Sequence, residues 1–184
     1  MEIRTGFHKK LREIQDDILV MGSMVSKAIA RSTEALQNRD LKLAQQIIND
    51  DQKINQKRFE IEEKCVQLIA TQQPMASDLR AIISVLNIIT ELERIGDYAE
   101  GNAKIAIMIG NEPPLKPLID IPHMAEKTID MLNPAWMPLS NGMLTRLKQL
   151  SPKTISLTIS TTRCFENCYS LWRKTRRQLP GQPV

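Results

Sequence analysis

Apolar residues recur along residues 11–132 in alternating steps of three and four, the pattern of helices that bury one side. The first run is Leu11, Ile14, Ile18, Met21, Val25, Ala28, Ser32 and Ala35. It predicts a long helix that ends near QNRD, where Asp40 can cap the next one. The second helix carries Leu41, Ala44, Ile48, Ile54, Ile61, Cys65, Leu68 and Ile69, and stops after Thr71, where QQP breaks it. A third begins between Pro74 and Asp78 and reaches about Gly110, beyond which NEPPLKP cannot continue a helix. Rods of roughly 30 residues are about 45 Å long, and short connections make sequential neighbours antiparallel. The expected fold class is therefore all-α. An up-down-up three-helix bundle covers residues 1–112. Residues 113–132 form a linker and the start of a fourth helix, with Met124, Ala125, Ile129 and Leu132 on one face, and an irregular C-terminal region follows over 133–184.

The third helix changes character along its length. Counted from Leu79, its seam reads Leu79, Ile82, Leu86, Ile89, Glu93, Gly96 and Glu100, so acids stand where hydrocarbon is expected. Asp97 lies four residues after Glu93, one turn along the same face, where two unpaired carboxylates repel each other. A shared cation relieves that repulsion. The competing reading is a solvated acidic surface, softened by Arg94. Gly96 weighs against it, because glycine in a helix interior costs about 1 kcal/mol relative to alanine and makes sense where another backbone or an ion comes close. Asp51, beside Asp50, also falls at an inward position of the second helix. For that pair a wetted turn of helix is the readier reading unless the third helix lies alongside.

Composition sharpens the division of the chain. Aromatic residues make up only 4% while hydrophobic ones make up 42%, a balance of Ile, Leu, Met and Ala that suits helix packing. The net charge of +4 hides two unlike parts: residues 1–132 hold 17 basic against 20 acidic side chains, and residues 133–184 hold 8 against 1. The basic part also contains Trp136, Trp172, Cys164 and Cys168, which marks a boundary. No apolar run is long enough to span a membrane, and the polar start, MEIRTGFHKKL, is unlike a signal peptide. A cytoplasmic location is the expectation, in keeping with a core-like Cys65.

The stretch ELERIGDYAEGNAK, with SDLRAIISVLNI before it and NDDQKIN in the second helix, closely resembles the PhoU family of bacterial phosphate-signalling regulators. The resemblance covers about residues 5–132. It implies two tandem three-helix bundles, each with a Glu-x-x-x-Asp signature that binds metal, commonly iron clusters or zinc. Glu93 and Asp97 are then the metal-binding signature of the first repeat. The resemblance further implies a homodimeric negative regulator of phosphate uptake and of the phosphate-starvation response. Its implied partners are the ATPase subunit of the phosphate-specific ABC transporter and a membrane sensor histidine kinase, through which alone it meets the membrane. Asn102 departs from the family, where an Ile-like residue is commoner. The larger departure is that residues 133–184 show no second bundle and no second signature.

Reading the C-terminal region one base out of frame from about Asn133 to Ala135, with third bases free, permits a string with the spacing of ALQNRDLKLAQQIINDDQKIN. A frame-shifted second repeat is the expectation there. The rival is a genuine basic tail that binds nucleic acid or an acidic surface through Arg173, Lys174, Arg176 and Arg177; the preferred expectation is no nucleic-acid partner. Cys164 and Cys168 lack a nearby second pair to complete a zinc site. Two further classes compete for the body. A carboxylate-bridged di-metal enzyme is disfavoured, since neither His8 nor His123 follows a Glu by three residues and no phosphate loop or nucleophile elbow occurs. A plain helical dimerisation or scaffold module is the other.

Overall fold

Among the described residues four helices form where the seams predict them: α1 (Glu2–Asn38), α2 (Leu41–Gln72), α3 (Ala76–Ile109) and α4 (Asp120–Trp136). The computed structural model describes residues 2–111 and 118–136, and these are helical apart from short connections. Two residues join α1 to α2. Arg39 adopts a left-handed backbone (φ 54°) that ends α1, and the Asp40 carboxylate accepts a hydrogen bond from the Leu43 N–H at 2.9 Å. Gln73 closes α2 in the same left-handed way (φ 44°), its N–H donating to the Ile69 carbonyl at 3.2 Å. Gly110 (φ 62°) ends α3, close to the expected stop.

Helices α1, α2 and α3 each pack on the other two, and α4 packs on α1. Ala35, Ala44, Ile47, Ala103 and Ala106 cluster together, so the C-terminal part of α3 lies beside the α1–α2 turn. This is the up-down-up arrangement. The α1 seam is buried from Phe7 to Ala35 much as its spacing predicts, with Ile29 rather than Ala28 facing inward. Ser32 and Thr33 are buried there because both hydroxyls donate to the Ile29 carbonyl, at 2.9 and 3.0 Å.

The α3 seam differs from its prediction. Its buried residues are Ile82, Val85, Ile89, Leu92, Gly96, Ala99, Ala103 and Ala106, joined by Ala81 and Ile95. The stripe thus stays apolar to its end and narrows to Gly and Ala, while Glu93 and Glu100 sit at its edge. Small residues carry little hydrophobic signal in a sequence, yet they let a neighbouring helix approach.

Helix α4 buries Ala125, Thr128 and Leu132, with Met124 and Ile129 half-buried. The fourth helix, whose expected start lies within residues 113–132, extends to Trp136. The expectations for the remaining tail, including Cys164, Cys168, Arg173, Lys174, Arg176 and Arg177, lie outside the described residues.

An ionic clamp centred on Asp17 ties α1 to α2. Asp17 accepts from Lys57 at 2.6 Å and from Lys64 at 2.5 Å, and its side chain is only 16% exposed. Burial alone raises this carboxyl, but the two lysine hydrogen bonds and charges outweigh it and hold it below the usual range. Asp17→Asn should cost about 1–2 kcal/mol in urea unfolding at pH 7. Because the folded-state value is depressed, that difference is present above the ordinary carboxylate range and shrinks as pH falls through it.

Candidate functional site

On α2 the buried seam reads Ala44, Ile47, Ile54, Ile61, Cys65 and Leu68. Continuing the alternation of three and four between these residues places Asp51 after Ile47 and Arg58 after Ile54. Two charged side chains therefore occupy core-seam positions, a full heptad apart. Both are partly buried. Opposite them α3 brings Glu93, Gly96, Asp97 and Glu100.

Gly96 is the contact point. A Cβ built on it would meet both Ile54 methyls, Cδ1 and Cγ2, at 3.3 Å and Asp51 Oδ1 at 3.5 Å. The sequence pointed to a close approach here, and the α2 side chains supply it. Asp51 Oδ2 accepts from the Asn55 amide at 2.9 Å, while Asp51 Oδ1 is buried without a partner. Asn55 Oδ1 and Arg58 Nε are in the same condition. Three of the four such atoms among the described residues thus lie on one face of α2, at positions 51, 55 and 58. Buried polar atoms are normally paired, so this concentration marks a place with unused binding capacity.

The electrostatics agree with the geometry. Burial, then the charges of Asp97 and Glu100, push the Asp51 carboxyl up to about 6; Glu93 adds a smaller push and the Asn55 hydrogen bond opposes it. Asp97 is exposed overall, and its carboxyl is also raised, by burial of its inner side and by Glu93 and Glu100. Each acid thus feels the others across the α2–α3 groove. No three of the Asp, Glu, His or Cys side chains among the described residues converge tightly enough to form a closed metal cage. The flanking acids are turned toward cations: Glu93 toward Arg58 at 3.5 Å, and Glu100 toward Lys104 at 2.6 Å. Arg94, which the sequence offered as the local neutraliser, pairs instead with Glu91 at 3.3 Å.

Asp51 belongs to this site, although its sequence allowed a wetted turn. Its neighbour Asp50 faces the α1 side, held by Arg31 and Lys53 at 2.7 Å each. A groove of about 180 Å³ runs past both aspartates between α1, α2 and α3, lined by Lys27 and Arg31 of α1 as well as by Lys53, Ile54, Gly96 and Glu100. Arg58 was missed by the sequence reading; its heptad relation to Asp51 within an apolar stripe is the signal that finds it. Cys65 takes no part. It is fully buried, and burial with the nearby Glu62 pushes its thiol up to about 11.

Similarity to known proteins follows the same boundaries. Residues 18–106 match the PhoU domain family model. The chain is 40% identical over 125 residues to the phosphate-specific transport system accessory protein PhoU homolog of Aquifex aeolicus, covering 68% of this chain and 57% of the relative. It is 34% identical over 127 residues to the accessory protein PhoU of Escherichia coli, covering 69% and 53%. The chain spans about half the length of the curated relatives it matches. Among solved structures it is similar to PhoU from Pseudomonas aeruginosa, with TM-score 0.70 and 29% identity, covering 87% of this chain and 88% of that one. It is also similar to the phosphate transport system regulatory protein PhoU from Streptococcus pneumoniae, with TM-score 0.65 and 30% identity, covering 72% and 62%. With this match, these relatives and the same helical architecture, residues 18–106 form a PhoU domain.

Proposed function

We propose that this chain is a regulatory accessory protein of a phosphate-specific transport system, one that lowers phosphate uptake and holds the phosphate-starvation response off. The proposal includes an adaptor role between the ATPase subunit of the transporter and a sensor histidine kinase, a cytoplasmic location and a homodimer. The names of the relatives support the transport-system role. Among the described residues no helix is long and apolar enough to cross a membrane, and in this proposal the chain meets the membrane through its partners only. A regulatory reading follows the names of the relatives, which are accessory and regulatory proteins.

The same proposal makes the α2–α3 groove a cation site. The observation that carries it is the buried, unpartnered Asp51 Oδ1 facing Gly96, with Asp97 and Glu100 acting on the same carboxyl. Glu93, Asp97 and Asp51 would hold the ion, with Asn55 Oδ1 and Glu100 at its margin. Such a set is all oxygen, which favours iron or another hard cation over zinc. Bound there, the ion would tie α2 to α3 and supply charge neutralisation.

Metal analysis of the purified full chain tests this. Glu93→Ala and Asp97→Ala should each lower bound iron or Mn²⁺ at least roughly tenfold, as loss of a ligand does. Equal metal content in all variants would favour the plain helical scaffold.

A further inference from the structure

The carboxylate that completes the groove is already engaged by an arginine of the same bundle. Arg58 sits at a core-seam position of α2, where its side chain is only 27% exposed, and Glu93 opposite is 24% exposed. Its Nη1 lies 3.5 Å from Glu93 Oε1, its Nη2 lies 3.7 Å from Glu62 Oε2, and its Cζ is 5.2 Å from the Phe59 ring centroid. None of these contacts is short. The Nε is buried and makes no hydrogen bond. An arginine held against a carboxylate normally makes two short, parallel bonds, so this guanidinium is a loosely held counter-ion in a place built for something to leave.

We propose that Arg58 is the built-in competitor of the groove's cation: Glu93 is held either by Arg58 or by the bound ion, and Arg58 must swing out for the ion to bind. The inference rests on the cation-site reading above. Charge balance supports it. Asp51, Glu93, Asp97 and Glu100 act on one another across α2 and α3; Arg58 pairs with Glu93 and Lys104 with Glu100, and both of these charges also act on Asp97. Lys104 is 54% exposed and reaches Glu100 from the next turn of the same helix. The ammonium end of that pair is open to water, while the Glu100 carboxylate is 20% exposed. Arg58 reaches across from the other helix and is partly desolvated, so its pairing is the one that a metal must break. The guanidinium already touches a second set of partners on its own helix, Glu62 and the exposed Phe59. The chain thereby acquires two states of the same groove. In one Arg58 bridges α2 and α3; in the other the ion does, and the guanidinium is presented on the outer face.

Titrating the full chain with Mn²⁺ by calorimetry tests this. Arg58→Gln should bind Mn²⁺ roughly tenfold more tightly than the wild type, because the freed Glu93 no longer has to be released. Lys104→Gln, which also removes one positive charge, should change affinity by less than about threefold. In a Glu93→Gln background, Arg58→Gln should lose most of its effect. Unchanged or weaker binding in Arg58→Gln, or equal gains from Arg58→Gln and Lys104→Gln, would overturn the competition. Absence of Mn²⁺ binding in the wild type and in every variant would instead overturn the cation-site reading, and the competition with it.

Discussion

Gly96→Val should unfold at lower urea than the wild type, with a loss of about 2–3 kcal/mol. A valine Cβ at this position would touch both Ile54 Cδ1 and Cγ2 at 3.3 Å before its own methyls are placed. Ile54 is buried and β-branched, so rotating it away from one contact drives it into another. Helix propensity works the other way but gains only a few tenths of a kcal/mol for Gly→Val. Overpacking therefore wins. Gly101 is the control, because nothing lies within 4 Å of its built Cβ. There Gly101→Ala should stabilise the chain by about 1 kcal/mol. Adding Ile54→Ala to Gly96→Val should recover part of the loss, as the second change makes room for the first. If Gly96→Val matches the wild type, α2 and α3 do not meet at this glycine, and the site built on their approach fails with it.

The fold was legible because three long seams and two abrupt stops survive in the sequence. The α1 stripe, the Asp40 cap and the QQP break each correspond to a feature with one dominant physical cause. The α3 seam was displaced because two stripes compete there. One passes through Leu79, Leu86, Glu93 and Glu100, large side chains that mark the edge of the core. The other passes through Leu92, Gly96, Ala99 and Ala103, which are the buried ones. Hydrophobicity ranks the first set as highly as the second in its early turns, whereas closeness of approach, which selects the second, is a property of two helices together. The Glu93 and Asp97 pair was visible from its four-residue spacing. Its setting was not: Asp51 and Arg58 lie about 40 residues upstream in the chain, and only the antiparallel pairing of α2 with α3 brings them opposite. The expected neutraliser, Arg94, was chosen by nearness in sequence, yet its side chain follows the exposed face to Glu91.

The charge trapped at Asp51 should appear as a pH-dependent weakness of the metal-free protein. Its carboxyl lies at about 6 in the folded chain against the usual 3.8, chiefly through burial and then through Asp97 and Glu100. Because the folded-state value is raised, the folded state takes up the proton more readily than the unfolded chain. The associated stability is fully present below the unfolded value and is lost as pH rises through about 6. A rise of this size corresponds to roughly 3 kcal/mol at most, and water entering the open side of the groove reduces it to about 1–2. Asn cannot ionise but can still accept the Asn55 hydrogen bond. In EDTA, Asp51→Asn should therefore be more stable than the wild type by about 1–2 kcal/mol at pH 7, the gap closing toward pH 4. Saturating Mn²⁺ should reverse the order, since an ion bound only by the folded wild type adds about 2.7 kcal/mol at a hundredfold excess over its Kd. A variant no more stable than the wild type at pH 7 without metal would mean that Asp51 ionises at no cost. The acids across the groove would then be too far apart to call for a cation.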